Sequence, residues 1–188
     1  MEYYDQIFDP LTKVIEQWSG HEFEQCTFRK LDLTQAMLNN ASFVDCRFEA
    51  CNLTRVQLKN TKLYEVRFSN CQLAHVDFGV CNPFGFHVDF QACQLDYTVF
   101  LNRKLKKASF IDCSIREAFF LNCELTGTAF TNCNLELTKF EGNDLTQTDF
   151  SSSYNLVIDP EENKLKKARF SLHNLPGLLT KYGLVINQ

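Results

Sequence analysis

The chain has 188 residues, 45% of them hydrophobic, with 19 basic against 23 acidic side chains and a net charge of −4. That length holds one domain with a sizeable core, and the mild acidity argues against a general nucleic-acid binder, so no direct nucleic-acid partner is expected. With 7 Gly and 4 Pro the composition excludes a linker-rich or disordered chain, and no run of 18 apolar residues is present to span a membrane.

The N-terminus carries neither a basic region nor an apolar run of signal-peptide type, so the cytosol is the expected location. Residues 1–20 read as an N-terminal capping helix. Asp9 suits an N-cap and Pro10 the first helical position. Leu11, Val14, Ile15 and Trp18 then form an amphipathic stripe that Ser19 and Gly20 end.

From residue 21 the period changes. Large apolar residues fall at every fifth position: Phe23, Phe28, Leu33, Leu38, Phe43, Phe48, Leu53, Leu58, Leu63, Phe68, Leu73 and Phe78. Two residues before each sits a mostly small side chain, such as Cys26, Ala36, Ala41, Cys46, Cys51, Thr61 or Cys71. Leu31, Val56, Val66 and Val76 are the larger members of that slot. A period of five is neither the 3.6 of a helix nor the 2 of a flat strand, so residues 21–81 read as a repeat array.

The phase breaks over residues 82–87. Phe78 and Phe90 are twelve apart, two residues more than two repeats. Pro83 lacks a ladder donor and Gly85 permits unusual backbone angles. Two readings stay open: a structural joint between stacked arrays, or an exposed contact loop made by Pro83, Phe84 and Phe86.

Residues 88–170 form a second array, with Phe and aliphatic residues alternating strictly from Phe90 to Phe150. With four faces to a coil, Phe90, Phe110, Phe130 and Phe150 stack on one face and Phe100, Phe120 and Phe140 on the opposite one. Their expected spacing is one coil, about 4.8 Å. Polar columns of the same period, Asn52 with Gln72 and Gln94 with Ser114 and Asn134, are expected to form side-chain ladders. Arg103 occupies a small slot, and the cost of burying a charge predicts that it swings outward. Residues 154–163 read as an acidic turn within this array. In 171–188, Asn174, Pro176 and Gly183 mark a C-terminal helix, and Leu184, Val185 and Ile186 a short strand. Leu175, Leu178, Leu179, Tyr182, Leu184 and Ile186 would cap the last coil, make a dimer, or do both.

The nine cysteines all fall in the small slot, with no C-x-x-C pair and no zinc spacing. They read as buried thiols filling a narrow interior, so no metal or cofactor is expected. No phosphate loop, H-E-x-x-H or G-x-S-x-G is present, and His21, His75, His87 and His173 are isolated. The expectation is therefore a non-enzymatic protein.

Function is sought on the surface. Residues 108–162 contain Asp112, Glu117, Glu124, Glu136, Glu141, Asp144, Asp149, Asp159, Glu161 and Glu162 against Arg116 and Lys139, a net of −8. Residues 29–107 net +4. The first seven of those acids are the candidate partner-binding residues, because an acidic rod of duplex width competes for grooves built to attract phosphate.

The small-x-(Leu/Phe)-x-x pattern resembles the pentapeptide-repeat family over most of the chain. That resemblance implies an all-β solenoid, a right-handed quadrilateral β-helix. The mid-chain Pro83-Phe84 break, the run Ile158-Asp159-Pro160-Glu161-Glu162-Asn163, and Leu178-Leu179 with Gly183-Leu184-Val185 look most like the microcin-immunity and Qnr-like branch. Members of that branch bind DNA gyrase or topoisomerase IV as DNA mimics, and most dimerise through the C-terminus. The resemblance therefore implies protection of such an enzyme from a toxin or quinolone, with a contiguous acidic face. The alternative is a scaffolding module with another protein partner.

Overall fold

One residue in five turns the chain. Gln25, Lys30, Gln35 and Asn40 take φ of 56°, 53°, 58° and 58°, and the same corner recurs along the chain to Lys167. The left-handed corner costs each non-glycine residue about 1–2 kcal/mol. Its amide is nonetheless paired: Gln25 N donates to Val44 O and Asp45 N to Tyr64 O, both at 2.9 Å. Four corners close a coil, and each coil hydrogen-bonds to the next as parallel strands.

The computed structural model describes residues 1–11 and 17–185. It is a right-handed four-sided β-solenoid. The first face stacks β1 (Glu2–Tyr4), β3 (Glu22–Glu24), β5 (Ser42–Val44) and β7 (Lys62–Tyr64). The second face stacks β2 (Ile7–Phe8), β4 (Thr27–Arg29), β6 (Arg47–Glu49), β8 (Val66–Ser69), β9 (Val88–Gln91), β11 (Ser109–Ile111) and β13 (Ala129–Thr131). The third face is a column of single bridges from Asp32 through Asn52, Gln72, Gln94, Ser114 and Asn134 to Tyr154. The fourth carries β10 (Val99–Leu101), β12 (Phe119–Leu121) and β14 (Lys139–Glu141).

The core is a set of aromatic columns. On the second face Phe8, Phe28, Phe48, Phe68, Phe90, Phe110, Phe130, Phe150 and Phe170 stack in one series, with centroids 4.6–5.5 Å apart. Phe78, Phe100, Phe120 and Phe140 stack on the fourth face at 4.7–5.0 Å. The two columns meet edge-to-face, as in Phe120 against Phe130 at 5.7 Å and 89°. The rings repeat at the backbone rung because strands pair in register; each buried Phe is worth about 1.5–3 kcal/mol. The predicted alternation thus holds in the second array. The second-face column also continues unbroken into the first, which the phase break had hidden.

Several small-slot side chains also tie neighbouring coils together. Cys46, Cys51 and Cys71 Sγ donate to the carbonyls of Phe23, Phe28 and Phe48 at 3.3–3.4 Å. Thr61, Thr128 and Thr148 Oγ1 donate in the same way to Leu38, Leu105 and Leu125 at 2.6–2.8 Å. Cys and Thr both suit this slot because each is small and can place one donor on the coil below. All nine thiols are buried, and burial pushes Cys46 up to about 12.

Four local expectations are corrected. First, the solenoid begins before residue 21: β1 and β2 pair with β3 and β4, Tyr3 stacks on Phe23 at 5.1 Å, and Trp18 is buried against Phe8, Phe23 and Phe28. Tyr3, Phe8 and Trp18 share the repeat phase, so their stripe follows coil spacing. Leu11 is 96% exposed, and Val14 and Ile15 lie outside the described residues.

Second, Arg103 does not swing out. It is 6% exposed, and its Nε and Nη1 donate to Leu101 O and Cys81 O at 3.0 Å each. The cause is the break. Elsewhere the small-slot carbonyl accepts an amide from the next coil, as Thr61 O accepts Asn82 N and Arg103 O accepts Glu124 N. The break coil is 22 residues long, shown by Phe68 pairing with Phe90 and Arg67 with Asp89. At Cys81 the guanidinium takes the carbonyl, while the Phe86 ring lies 5.5 Å away.

Third, Asn52 does not ladder with Gln72 through its side chain. Its Oδ1 accepts Thr54 N and Oγ1 at 3.1 and 2.7 Å, closing a local turn instead. The amide ladder forms on a corner, where Asn60 Nδ2 donates to Asn40 Oδ1 at 3.0 Å and Asn82 Nδ2 to Asn60 Oδ1 at 3.2 Å.

Fourth, the tail is two 3-10 turns, Leu172–Leu178 and Thr180–Tyr182, and Leu184 and Val185 are not in a strand. Asn174, 5% exposed, ties the first turn down by donating to Phe150 O and Ser153 O at 3.0 Å. Gly177 lies so close to the Leu156 carbonyl that a Cβ would overlap it.

Candidate partner-binding surface

The seven candidate acids point outward, but they do not share a face, so the contiguous acidic face that the resemblance implied is not formed. Glu124 and Asp144 are stacked on the first face, as their twenty-residue spacing predicts. Asp149 is on the second, bridged to Arg169. Asp112 and Glu117 sit at corners, with φ of 53° and 52°. Glu136 is exposed beside Leu135 on the third face, and Glu141 lies in β14 on the fourth. The corner every five residues distributes them round the rod.

Several of these carboxylates have partners. Glu124 meets Lys106 at 2.7 Å, Asp144 meets Lys164 at 4.0 Å and Asp149 meets Arg169 at 3.5 Å. The Lys106 bond holds Glu124 below its usual range, and bonds from Thr146 and Ser151 do the same for Asp144 and Asp149. All three stay ionised at neutral pH. Asp112 accepts from Asn132 Nδ2 at 2.7 Å and Glu117 from the Tyr97 hydroxyl at 3.0 Å. Glu136 and Glu141 have no cation within 4.0 Å among the described residues.

The loop residues divide. Phe84 is 81% exposed and Pro83 is exposed, whereas Phe86 is buried against Phe78 at 6.4 Å. Phe86 is therefore core, drawn in to fill the level that Pro83 vacates, and it is no surface contact. Of the tail residues, Leu178 packs on the core; Leu175, Leu179, Tyr182 and Leu184 are exposed, and Ile186 lies outside the described residues.

Periodicity reasoning sorted inward from outward positions and then weighed only the charged outward ones. It passed over Leu101, Phe119, Leu137 and Val157, large apolar residues on or beside the fourth face. The signal was present: each stands at an outward slot that polar residues occupy elsewhere.

On the third face a buried carboxylate, Asp96, pairs with the half-exposed Arg116. Asp96 is 3% exposed and accepts Ser114 Oγ, Arg116 N, Nε and Nη2 at 2.6–3.2 Å. Burial alone would raise its pKa, but these four bonds outweigh burial and hold it below the usual carboxylate range. A depressed carboxylate contributes stability that is complete above its unfolded pKa and lost as pH falls through the folded one. Urea titrations from about pH 6 to 2.5 should show the native advantage over Asp96→Asn shrinking below about pH 4. A gap that stays constant to pH 2.5 would refute this role.

No helix among the described residues is long and apolar enough to cross a membrane.

The model of a pentapeptide repeat region matches residues 21–100, and that of pentapeptide repeats in eight copies matches 120–154. No curated protein sequence matches the chain. Among solved structures, a trypsin-treated form of QnrB1, a plasmid-mediated fluoroquinolone resistance protein, aligns over 100% of this chain and 99% of its own, at 15% identity and TM-score 0.63. HetL, a pentapeptide-repeat protein involved in heterocyst differentiation regulation in the cyanobacterium Nostoc, aligns over 91% of this chain and 83% of its own, at 15% identity and TM-score 0.32. With five-residue corners, inward Leu and Phe columns and both repeat models matched, the chain belongs to the pentapeptide-repeat family.

Proposed function

We propose that this protein is a non-enzymatic binding rod that acts as a DNA mimic on DNA gyrase or topoisomerase IV and protects the enzyme from a quinolone or toxin. One observation carries the reading: between residues 108 and 162 ten acids stand against two bases on a rod that turns them to every side. A duplex also presents charge all round its axis, so a groove that holds DNA by phosphate attraction meets a similar field. QnrB1, with which the chain shares its fold, is a fluoroquinolone resistance protein and motivates the choice of enzyme. Lys106, Lys164 and Arg169 pair with Glu124, Asp144 and Asp149, which leaves Glu136 and Glu141 as acids with no cation within 4.0 Å among the described residues. In the same reading the exposed Leu175, Tyr182 and Leu184 form the contact of a homodimer.

The test is gyrase supercoiling titrated with ciprofloxacin. The purified protein should restore supercoiling at micromolar concentrations. Glu136→Gln with Glu141→Gln should weaken the effect about tenfold, with a steep loss in added salt. Protein that leaves both gyrase and topoisomerase IV unaffected, with and without drug, would sink the reading.

A further inference from the structure

The fourth face is the unusual one. Most outward positions of the coil are polar, yet here Phe119, Leu137 and Val157 are 40%, 67% and 49% exposed. They line one groove of about 730 Å³ over β12 and β14, with Thr180 also on its wall. Its rim is acidic: Glu117, Glu141 and Glu162 have no cation within 4.0 Å among the described residues. Asp159 also reaches the groove but is held by Lys181 at 2.7 Å. Lys139, in register with Phe119, is the cation within it.

An apolar floor with a carboxylate rim selects its occupant by charge. A second copy of this chain docked two-fold on the same groove would set Glu117, Glu141 and Glu162 near their own counterparts. An anionic lipid or nucleic acid would meet the same three charges. We infer that the fourth-face groove docks a basic, amphipathic segment of a partner protein, apolar side chains on Phe119, Leu137 and Val157 and Arg or Lys on the rim. Glu141 belongs both to this rim and to the acidic surface proposed for a topoisomerase, but peptide binding to the isolated chain is read without gyrase, so the two readings can fail separately.

Fluorescence anisotropy of the full chain with a fluorescein-labelled peptide of alternating Leu and Arg tests it. Saturable binding below about 100 μM is expected, and the matching Leu/Glu peptide should not bind. Phe119→Ser with Leu137→Ser should weaken binding about tenfold or more, as should Glu141→Gln with Glu162→Gln. Asp112→Asn with Asp149→Asn removes the same charge from other sides of the rod and should change affinity less than about twofold. Circular dichroism and melting confirm folding; if the Phe119 variant fails to fold, the Glu141 and Glu162 pair carries the test. Absence of binding, equal binding of the Leu/Glu peptide, or equal loss in the Asp112 variant would each overturn the inference. So would a dimer in sedimentation that Phe119→Ser dissociates, since a second copy would then be the occupant.

Discussion

Phe110→Ala should destabilise the protein by about 3–5 kcal/mol, the range for emptying a buried aromatic site. Phe110 is fully buried and touches four rings: Phe90 and Phe130 stacked at 5.1 and 4.7 Å, and Phe100 and Phe120 edge-on at 6.1 and 5.9 Å. Each such pair adds about 0.5–1.5 kcal/mol beyond burial. A solenoid also has nearest neighbours only along its axis, so a weakened rung in the middle uncouples the two halves. Urea unfolding followed by circular dichroism measures the loss and should show a broader or two-step transition. Phe110→Leu should cost less than Phe110→Ala, because it keeps more of the buried volume, but it loses the four ring pairs. Phe84→Ala, at a ring 81% exposed, should stay within about 0.5 kcal/mol. A Phe110→Ala loss no larger than that of Phe84→Ala would show that the aromatic column does not carry stability.

Arg103→Met should cost about 2–5 kcal/mol although it keeps an apolar stem of similar length. It strips the donors from Leu101 O and Cys81 O, and an unpaired buried acceptor costs about 1–3 kcal/mol. Arg103→Lys should recover less than half of this, since one ammonium cannot reproduce a planar fork that reaches two carbonyls. The loss should be local before it is global. Amides of residues 79–88 should exchange faster in Arg103→Met, while those of the second-face strands on either side keep most of their protection. Uniform acceleration along the whole rod, or an Arg103→Lys variant as stable as the native chain, would contradict the assigned role.

Arg103 also shows where sequence reading stops. A charge in a small slot was expected to leave it, since burial without a partner is costly. The partner was invisible in the sequence because it is a backbone carbonyl, Cys81 O, set free by two added residues some twenty positions earlier. The N-terminus misled in a different way. Leu11, Val14, Ile15 and Trp18 fit a helix whose middle lies outside the described residues, while Tyr3, Phe8 and Trp18 fit the five-residue phase, and pairing of β1 and β2 with β3 and β4 places the first coil before residue 21. Of the candidate surface, the outward position of each acid was legible. Their dispersion over four faces, and the withdrawal of Phe86 into the core while Phe84 stays outside, were not.

Taken alone, the order of residues determined which side chains go inward, because a corner every five residues makes inside and outside a local property. It placed the Phe and Leu columns, the nine thiols and the outward direction of every candidate acid. Twenty-residue spacing foretold neighbours in a column, such as Glu124 and Asp144, but only the tertiary structure decided which outward residues meet across corners, across the 22-residue coil and at the C-terminus. Phe119, Leu137 and Val157 are roughly a coil apart in sequence and meet through the strand ladder and the chain folded back at the C-terminus. Neighbours across coils depend on the length of every coil between them, and one coil here has 22 residues. Local spacing sets a direction for each side chain, while winding sets its company.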